Sequence, residues 1–342
     1  MDPHEIIRLG KTSLDVTRLG LGTAPLGGLF ASVDETDAIA TIERAYTQGM
    51  RLFDTAPLYG YGLAERRTGR VLASKPRATF ILSTKVGRLL RRDAPRDESQ
   101  YVNGEPFFKG TPGVNPVFDY SYDGVLRSVE ESLGRLGLDR VDIAYIHDPD
   151  QHYDEALCGA YPALERLRRE GVIGAVGVGM NQVDMLARFA RDAAVDCFLL
   201  AGRYTLLDQG ALRDLLPLCL ERGIAIVAGG VYNSGILADP RPGATFDYVP
   251  ADAATVKRAR RLQVICRAHG VPLKAAAVQY PLGHPAVASV VVGARSVAEL
   301  DENTAMFRHP IPAGLWDELA TEGLIPAQVL ASASTPPHLR TT

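Results

Sequence analysis

Four residue types able to move a proton stand at separated points of this sequence: Asp54, Tyr59, Lys85 and His147. Three of them close short apolar runs. Asp54 ends MRLFD at 50–54, Lys85 ends TFILSTK at 79–85 and His147 ends VDIAYIH at 141–147, while Tyr59 follows Asp54 in the loop P-L-Y-G. Singly each has an ordinary explanation: a helix start, a rim aromatic, a strand-end charge, a His-Asp-Pro turn. Together an acid, a phenol, an ammonium and an imidazole suit proton exchange with a substrate oxygen. A free tyrosine titrates near 10 and is a poor acid–base group at neutrality. Bringing it down by interaction with a cation takes about 3–4 kcal/mol. The expectation is that Asp54 keeps Lys85 charged, Lys85 lowers Tyr59, and Tyr59 exchanges the proton. His147 would donate a hydrogen bond to the oxygen as negative charge develops there.

These residues need elements that bring them to one place. Eight short apolar runs, at 19–22, 50–54, 79–85, 141–147, 172–179, 195–201, 224–229 and 288–293, read as strands buried on both faces. Between them amphipathic helices are expected over 35–48, 121–136, 155–170, 182–192, 208–222, 253–269 and 296–307, several stopped by glycine. This alternation predicts an α/β chain folded as a (β/α)8 TIM barrel, with its site at the C-terminal ends of the strands. An open dinucleotide-binding sheet would want G-x-G-x-x-G after a strand, and the nearest stretch, Gly20 to Pro25, ends in proline. Residues 5–18 read as a hairpin that plugs the N-terminal mouth. Residues 87–119 read as a long structureless loop beside Lys85, part of which covers the substrate. One domain is expected over 1–342, with a frayed tail at 331–342.

Composition narrows the classes. The 342 residues carry 37 basic and 40 acidic side chains, a net charge of −3, which argues against a nucleic-acid partner. No apolar run is long enough to span a membrane, and the first residues have no apolar core of a secretory signal. Four scattered cysteines without a C-x-x-C pair point to free thiols in the cytoplasm and to no metal site. Nothing in the sequence speaks to oligomeric state.

The chain also resembles the aldo-keto reductases. The matching stretches are GMRLFDTAPLYG at 49–60, ILSTKVG at 81–87, SVEESLGRLGLDRVDIAYIHDPD at 128–150, GVIGAVGVGMNQ at 171–182 and VVVGARSVAELDEN at 290–303. The resemblance implies a nicotinamide dinucleotide cofactor and a catalytic tetrad on Asp54, Tyr59, Lys85 and His147. It implies cofactor contacts from Gly22, Thr23, Asp54 and Asn181. It places the adenosine end against Gly293, Ala294, Arg295, Ser296, Glu299 and Asn303. Two positions depart from the family pattern: Ala201 stands for a glutamine and Gly229 for a stacking aromatic. Tyr232, Asn233 and Ser234 are expected to line the cofactor channel instead. Glu299 favours NAD over NADP, because a carboxylate would repel a 2′-phosphate, while Arg295 would pair with that phosphate or stack on the adenine.

Variant motifs such as GTAPLGGLF, HDPD, VGMNQ and VYNSGIL resemble the branch that oxidises a cyclic hemiacetal to a lactone. That implies a small-molecule substrate, a free aldose of the L-fucose or D-threo-aldose type. Alternatives are pyridoxal oxidised to its lactone, a general NADPH-dependent carbonyl reductase, and a non-catalytic nucleotide sensor. The intact tetrad speaks against the last.

Overall fold

The structure is a computed structural model and describes residues 1–102 and 104–327. The tail expected to fray at 331–342 lies outside the described residues. Eight parallel strands close into a barrel in sequence order. They are β1 (Leu19–Gly22), β2 (Leu52–Asp54), β3 (Ile81–Val86), β4 (Ile143–His147), β5 (Ala175–Met180), β6 (Cys197–Ala201), β7 (Ala225–Gly229) and β8 (Val287–Gly293). Strand β8 closes on β1 through the register Val290 with Leu19 to Gly293 with Gly22. All eight predicted runs become these strands, and the predicted (β/α)8 barrel is the fold.

The helices pack outside. They are α1 (Glu35–Thr47), α2 (Leu63–Leu72), α3 (Tyr122–Leu136), α4 (Tyr161–Arg169), α5 (Val183–Asp192), α6 (Leu215–Arg222), α7 (Ala253–Ala268), α8 (Leu273–Gln279), α9 (Val297–Arg308) and α10 (Ala313–Thr321). Local chemistry sets their ends. The Ser121 side chain accepts from Gly124 N–H to start α3, and Gly137 at φ +63° ends it. Three helices were not expected from the sequence. In α2 the apolar period is masked by a buried Glu65 and Arg67, and by Gly69, which sits against the backbone of Leu136 with no room for a Cβ. In α8 the Ala-rich run is buried on nearly every side, so no polar face marks it. No helix among the described residues is long and apolar enough to cross a membrane.

The N-terminal hairpin pairs Ile6–Arg8 with Asp15–Thr17. Its Leu9 and Val16 are fully buried against Leu52, Ile143, Ala175, Ala225 and Ala288 at the bottom of the barrel. The expected plug is therefore present. The stretch at 87–119 differs from expectation. It is an ordered arm in which Arg88–Arg91 pairs with Asn115–Phe118 and Tyr101–Val102 with Glu105–Pro106. Its backbone hydrogen bonds run partly within the arm and partly to the loop at 28–30, where Phe30 N–H donates to Phe107 O at 2.7 Å and Lys109 N–H to Gly28 O at 2.9 Å. The arm leaves β3 at Gly87, whose φ of +104° and contact with the Tyr120 ring admit no side chain.

Candidate active site

The barrel places Asp54, Lys85 and His147 at the C-terminal ends of β2, β3 and β4, side by side on one rim. Tyr59 comes from the loop after β2. That loop is held where Gly60, at φ +62°, meets Gly27 backbone to backbone with no space for a Cβ on either. The Tyr59 backbone N–H donates to Ala56 O at 3.1 Å, and its carbonyl accepts from Ala64 N–H at 3.1 Å. The backbone from which the ring projects is thereby held.

The Lys85 ammonium donates to both Asp54 oxygens, at 2.8 and 2.7 Å, and to Thr55 O at 2.9 Å. Ser83 Oγ donates to Asp54 Oδ1 at 2.7 Å. Both charged groups are almost fully buried. Burial pulls the Lys85 ammonium below its ordinary value, and Asp54 opposes it by charge and hydrogen bond. The Tyr59 ring meets the His147 ring edge-to-face at 5.9 Å, and Phe108 packs on it at 6.1 Å. Burial, and then the Asp54 charge, push the Tyr59 hydroxyl well above its ordinary value. This corrects the expectation that Lys85 lowers it: desolvation of the phenolate dominates, and the Lys85 charge is spent on Asp54. Burial, with Arg88 and Lys85 nearby, holds the His147 imidazole well below its ordinary value, so it is neutral and able to donate one N–H.

Two adjoining cavities open on this cluster. The larger, about 600 Å³, is lined by Tyr59, Lys85, His147, Asp148 and Asn181 and by residues of the arm. From the arm, Arg88, Phe107, Phe108 and Phe118 face it. Tyr101 does not line it and instead lies under Arg96, 3.4 Å from the guanidinium. The smaller cavity, about 210 Å³, is lined by Gly22, Asp54, Tyr59, Asn181, Asn233, Ser234 and Gly293 among others.

The smaller cavity suits a flat ring. A Cβ at Gly22 would meet nothing nearer than 3.8 Å, and one at Gly229 nothing nearer than 3.4 Å. Packing does not demand glycine at either place; the open space does. Asn233 donates from Nδ2 to Gly202 O at 3.0 Å, while its buried Oδ1 has no partner among the described residues. Asn181 Nδ2 donates to Ala201 O at 3.0 Å on the same wall. These amide groups and the bare glycine floor fit a nicotinamide. Beyond Gly293, the first turn of α9 is capped by Ser296, which accepts from Glu299 N–H at 3.3 Å. A helix start there suits a phosphate.

Other expected cofactor contacts stand behind the wall. Thr23 is fully buried, and its hydroxyl donates to Asp54 O at 3.0 Å. Asn303 donates to Gly293 O at 3.1 Å and accepts from the Tyr232 hydroxyl at 3.2 Å. Thr23, Tyr232, Ala294 and Asn303 line neither cavity; they shape the loops that do. Arg295 and Glu299 are bound to each other: Arg295 Nη2 donates to Oε1 at 2.9 Å and its backbone N–H to Oε2 at 2.9 Å. Burial would raise the Glu299 carboxyl, but the hydrogen bonds and charge of Arg295 hold it below its ordinary value. Glu299 is therefore half of an ion pair.

Sequence reading missed Tyr248. It sits at φ +67° in the turn between Thr245–Phe246 and Val249–Pro250 and lines both cavities. Its ring lies 5.9 Å from Phe30 and 5.9 Å from Phe107, which closes three loops over the site. An aromatic in a polar turn carries no periodic signal that could have marked it.

Comparison with known proteins agrees with this geometry. Residues 18–321 match the aldo/keto reductase family. The chain is 46% identical over 332 residues to pyridoxal 4-dehydrogenase of Microbacterium luteolum, covering 93% of this chain and 97% of that protein. It is 44% identical over 316 residues to D-threo-aldose 1-dehydrogenase of a Pseudomonas species, covering 92% and 96%. In three dimensions it superposes on the holo form of an aldo-keto reductase from Bacillus halodurans with a TM-score of 0.71 at 26% identity, covering 99% of this chain and 100% of that one. Barrel, rim cluster and relatives agree that this chain is an oxidoreductase belonging to the aldo/keto reductase family, whose members work with nicotinamide cofactors.

Proposed function

We propose that this protein oxidises the C1 hemiacetal of a free aldose to the lactone with NAD, using Tyr59 as the acid–base group. The observation that carries the reading is the lining of the larger cavity. Beside the Tyr59–His147 pair it presents Asp97, Ser99, Gln100, Asp150, Gln151 and Gln182 over an aromatic base. Such a wall matches a molecule with hydroxyls on its edges and C–H on its faces. His147 donates to the anomeric oxygen; Tyr59, having first released its own proton to solvent, takes the anomeric proton as the phenolate, and the buried Asp54–Lys85 pair fixes the floor beneath the phenol. When bound, the oxidised dinucleotide accepts the hydride and adds positive charge beside that phenol. Gly22, Asn181, Asn233, Ser234 and Gly293 would hold it, with the Arg295–Ser296–Glu299 turn at its adenosine end. The whole chain acts as one domain in this reading.

A second reading is oxidation of pyridoxal to its lactone, favoured by the Phe107, Phe108 and Phe118 rings on the cavity and by the 46% identical relative. The deciding experiment is a turnover screen of L-fucose, D-arabinose, L-galactose and pyridoxal with NAD and NADP, following the reduced dinucleotide. Aldose oxidation with NAD supports the first reading, and pyridoxal oxidation without aldose oxidation overturns it.

A further inference from the structure

His147 is followed by Asp148, which the tetrad does not use. Its backbone adopts φ +43°, a left-handed conformation that a non-glycine residue enters at a cost. The surroundings hold it there. Asp148 N–H donates to Gly179 O at 3.1 Å, and the Tyr120 hydroxyl donates to Asp148 O at 2.9 Å while also reaching His147 O. The effect is to turn the carboxylate back toward the imidazole: Asp148 Oδ2 lies 3.4 Å from His147 Nε2. Arg88 completes the arrangement. Its Nη1 donates to His147 O at 3.2 Å and its Nη2 to Asp148 Oδ2 at 3.2 Å, and its guanidinium lies over the Phe118 ring at 4.7 Å. Arg88 is nearly buried, whereas the Asp148 side chain keeps 29% of its surface open to the cavity. No hydrogen bond from a described residue reaches Oδ1.

A built carboxylate facing a substrate cavity, with one oxygen anchored and one free, is an acceptor waiting for donors. The reacting oxygen of the substrate lies about 2.9 Å from the histidine that donates to it. The hydroxyl on the neighbouring carbon then falls within reach of a carboxylate set this close to the same nitrogen. We propose that Asp148, anchored by Arg88, binds the hydroxyl next to the reacting carbon and makes the enzyme select aldoses that carry it. This inference rests on the aldose reading above. Asp148 acts as a specificity residue that touches substrate, and Arg88 positions it.

The test compares each aldose with its 2-deoxy analogue on the wild type, Asp148→Asn and Asp148→Glu. Asparagine also tolerates the left-handed backbone, so the first variant keeps the turn. Glutamate keeps the charge but displaces it by one methylene. The wild type should prefer the hydroxylated sugar by about tenfold or more, mainly through KM, as a charge-assisted hydrogen bond would give. Both variants should bring that preference to within about threefold, the change falling on KM for the hydroxylated sugar. Turnover of aldoses by the wild type with an unchanged preference in both variants overturns this inference alone. A wild type inert toward every aldose overturns the aldose reading and the inference with it.

Discussion

The Lys85 ammonium sits 4.6 Å from the centre of the Tyr59 ring while its hydrogen bonds go to Asp54. It underlies the phenol as a cation against the π face, with its donors turned away from the hydroxyl. The resting Tyr59 is consequently a neutral acid whose proton is hard to remove. Two consequences are expected for turnover. Tyr59→Phe should lower kcat by about 10²–10⁴ with dinucleotide affinity retained, as fluorescence titration would show. In the wild type, kcat for oxidation should climb with pH through the alkaline range, because the reaction draws on the deprotonated phenol. A rate flat from neutral pH upward would contradict this.

The Asp54–Lys85 pair should behave as a unit. Removing one member leaves a buried charge without its partner, at a cost of about 3–5 kcal/mol. Lys85→Met and Asp54→Asn should each lower the midpoint of a denaturant transition. The double variant should recover much of that stability and none of the activity. Additive losses of stability would show that the two groups are not coupled.

His147 gives the stability a direction with pH. Its folded value lies below the ordinary 6.5, so the unfolded chain takes up a proton that the folded chain refuses. Stability from this group is full above about 6.5 and is lost as pH falls below it, by at most about 1.4 kcal/mol per pH unit. His284, brought to about 4 by burial, acts in the same direction. Denaturant midpoints measured just below 6.5 should fall with acidification. Replacing both histidines by asparagine should flatten that slope.

The arm is tested through Phe107, which meets Phe30 edge-on at 6.2 Å and Tyr248 at 5.9 Å. Shortening the arm between Arg91 and Asn115, which removes Phe107 and Phe108, should raise KM for the best substrate by about tenfold or more, the loss of several buried aromatic contacts. Unchanged kinetics would show that the arm is only a cover.

Cofactor choice turns on the Arg295–Glu299 pair. NAD is expected over NADP by about tenfold in kcat/KM, because a 2′-phosphate would have to draw Arg295 away from its carboxylate. Glu299→Gln should free the guanidinium and narrow the ratio. A ratio that does not move, or one that favours NADP in the wild type, would remove Glu299 from that role.

The sequence carried most of this framework because its signals are local. Strand runs such as VDIAYIH become β4 because full burial selects apolar residues along the whole strand, and the barrel then dictates which ends meet. Asp54, Lys85 and His147 could be named because strand ends are addresses in such a fold. What stayed hidden depends on the third dimension. Helix α2 hides its period because Glu65 is buried with Arg135 and Thr84, partners 70 and 19 residues away. The arm at 87–119 pairs with itself through strands of two to four residues, too short to show alternation. Tyr248 and Asp148 owe their places to left-handed backbone set by contacts with Ser234, Gly179 and Tyr120, none of them a sequence neighbour. The sequence shows the cation near Tyr59 and not the depth of burial, which is what governs its hydroxyl.

The hairpin carrying Leu9 and Val16 stoppers the lower end of the barrel with fully buried side chains. At the opposite end, Phe30, Phe107 and Tyr248 meet ring to ring over the two cavities. The smaller cavity shares Tyr59, Asn181 and Tyr248 with the larger one, so whatever fills the first becomes a wall of the second. The two cavities therefore cannot be filled independently, and the Tyr248 ring that lines both is part of the boundary they share.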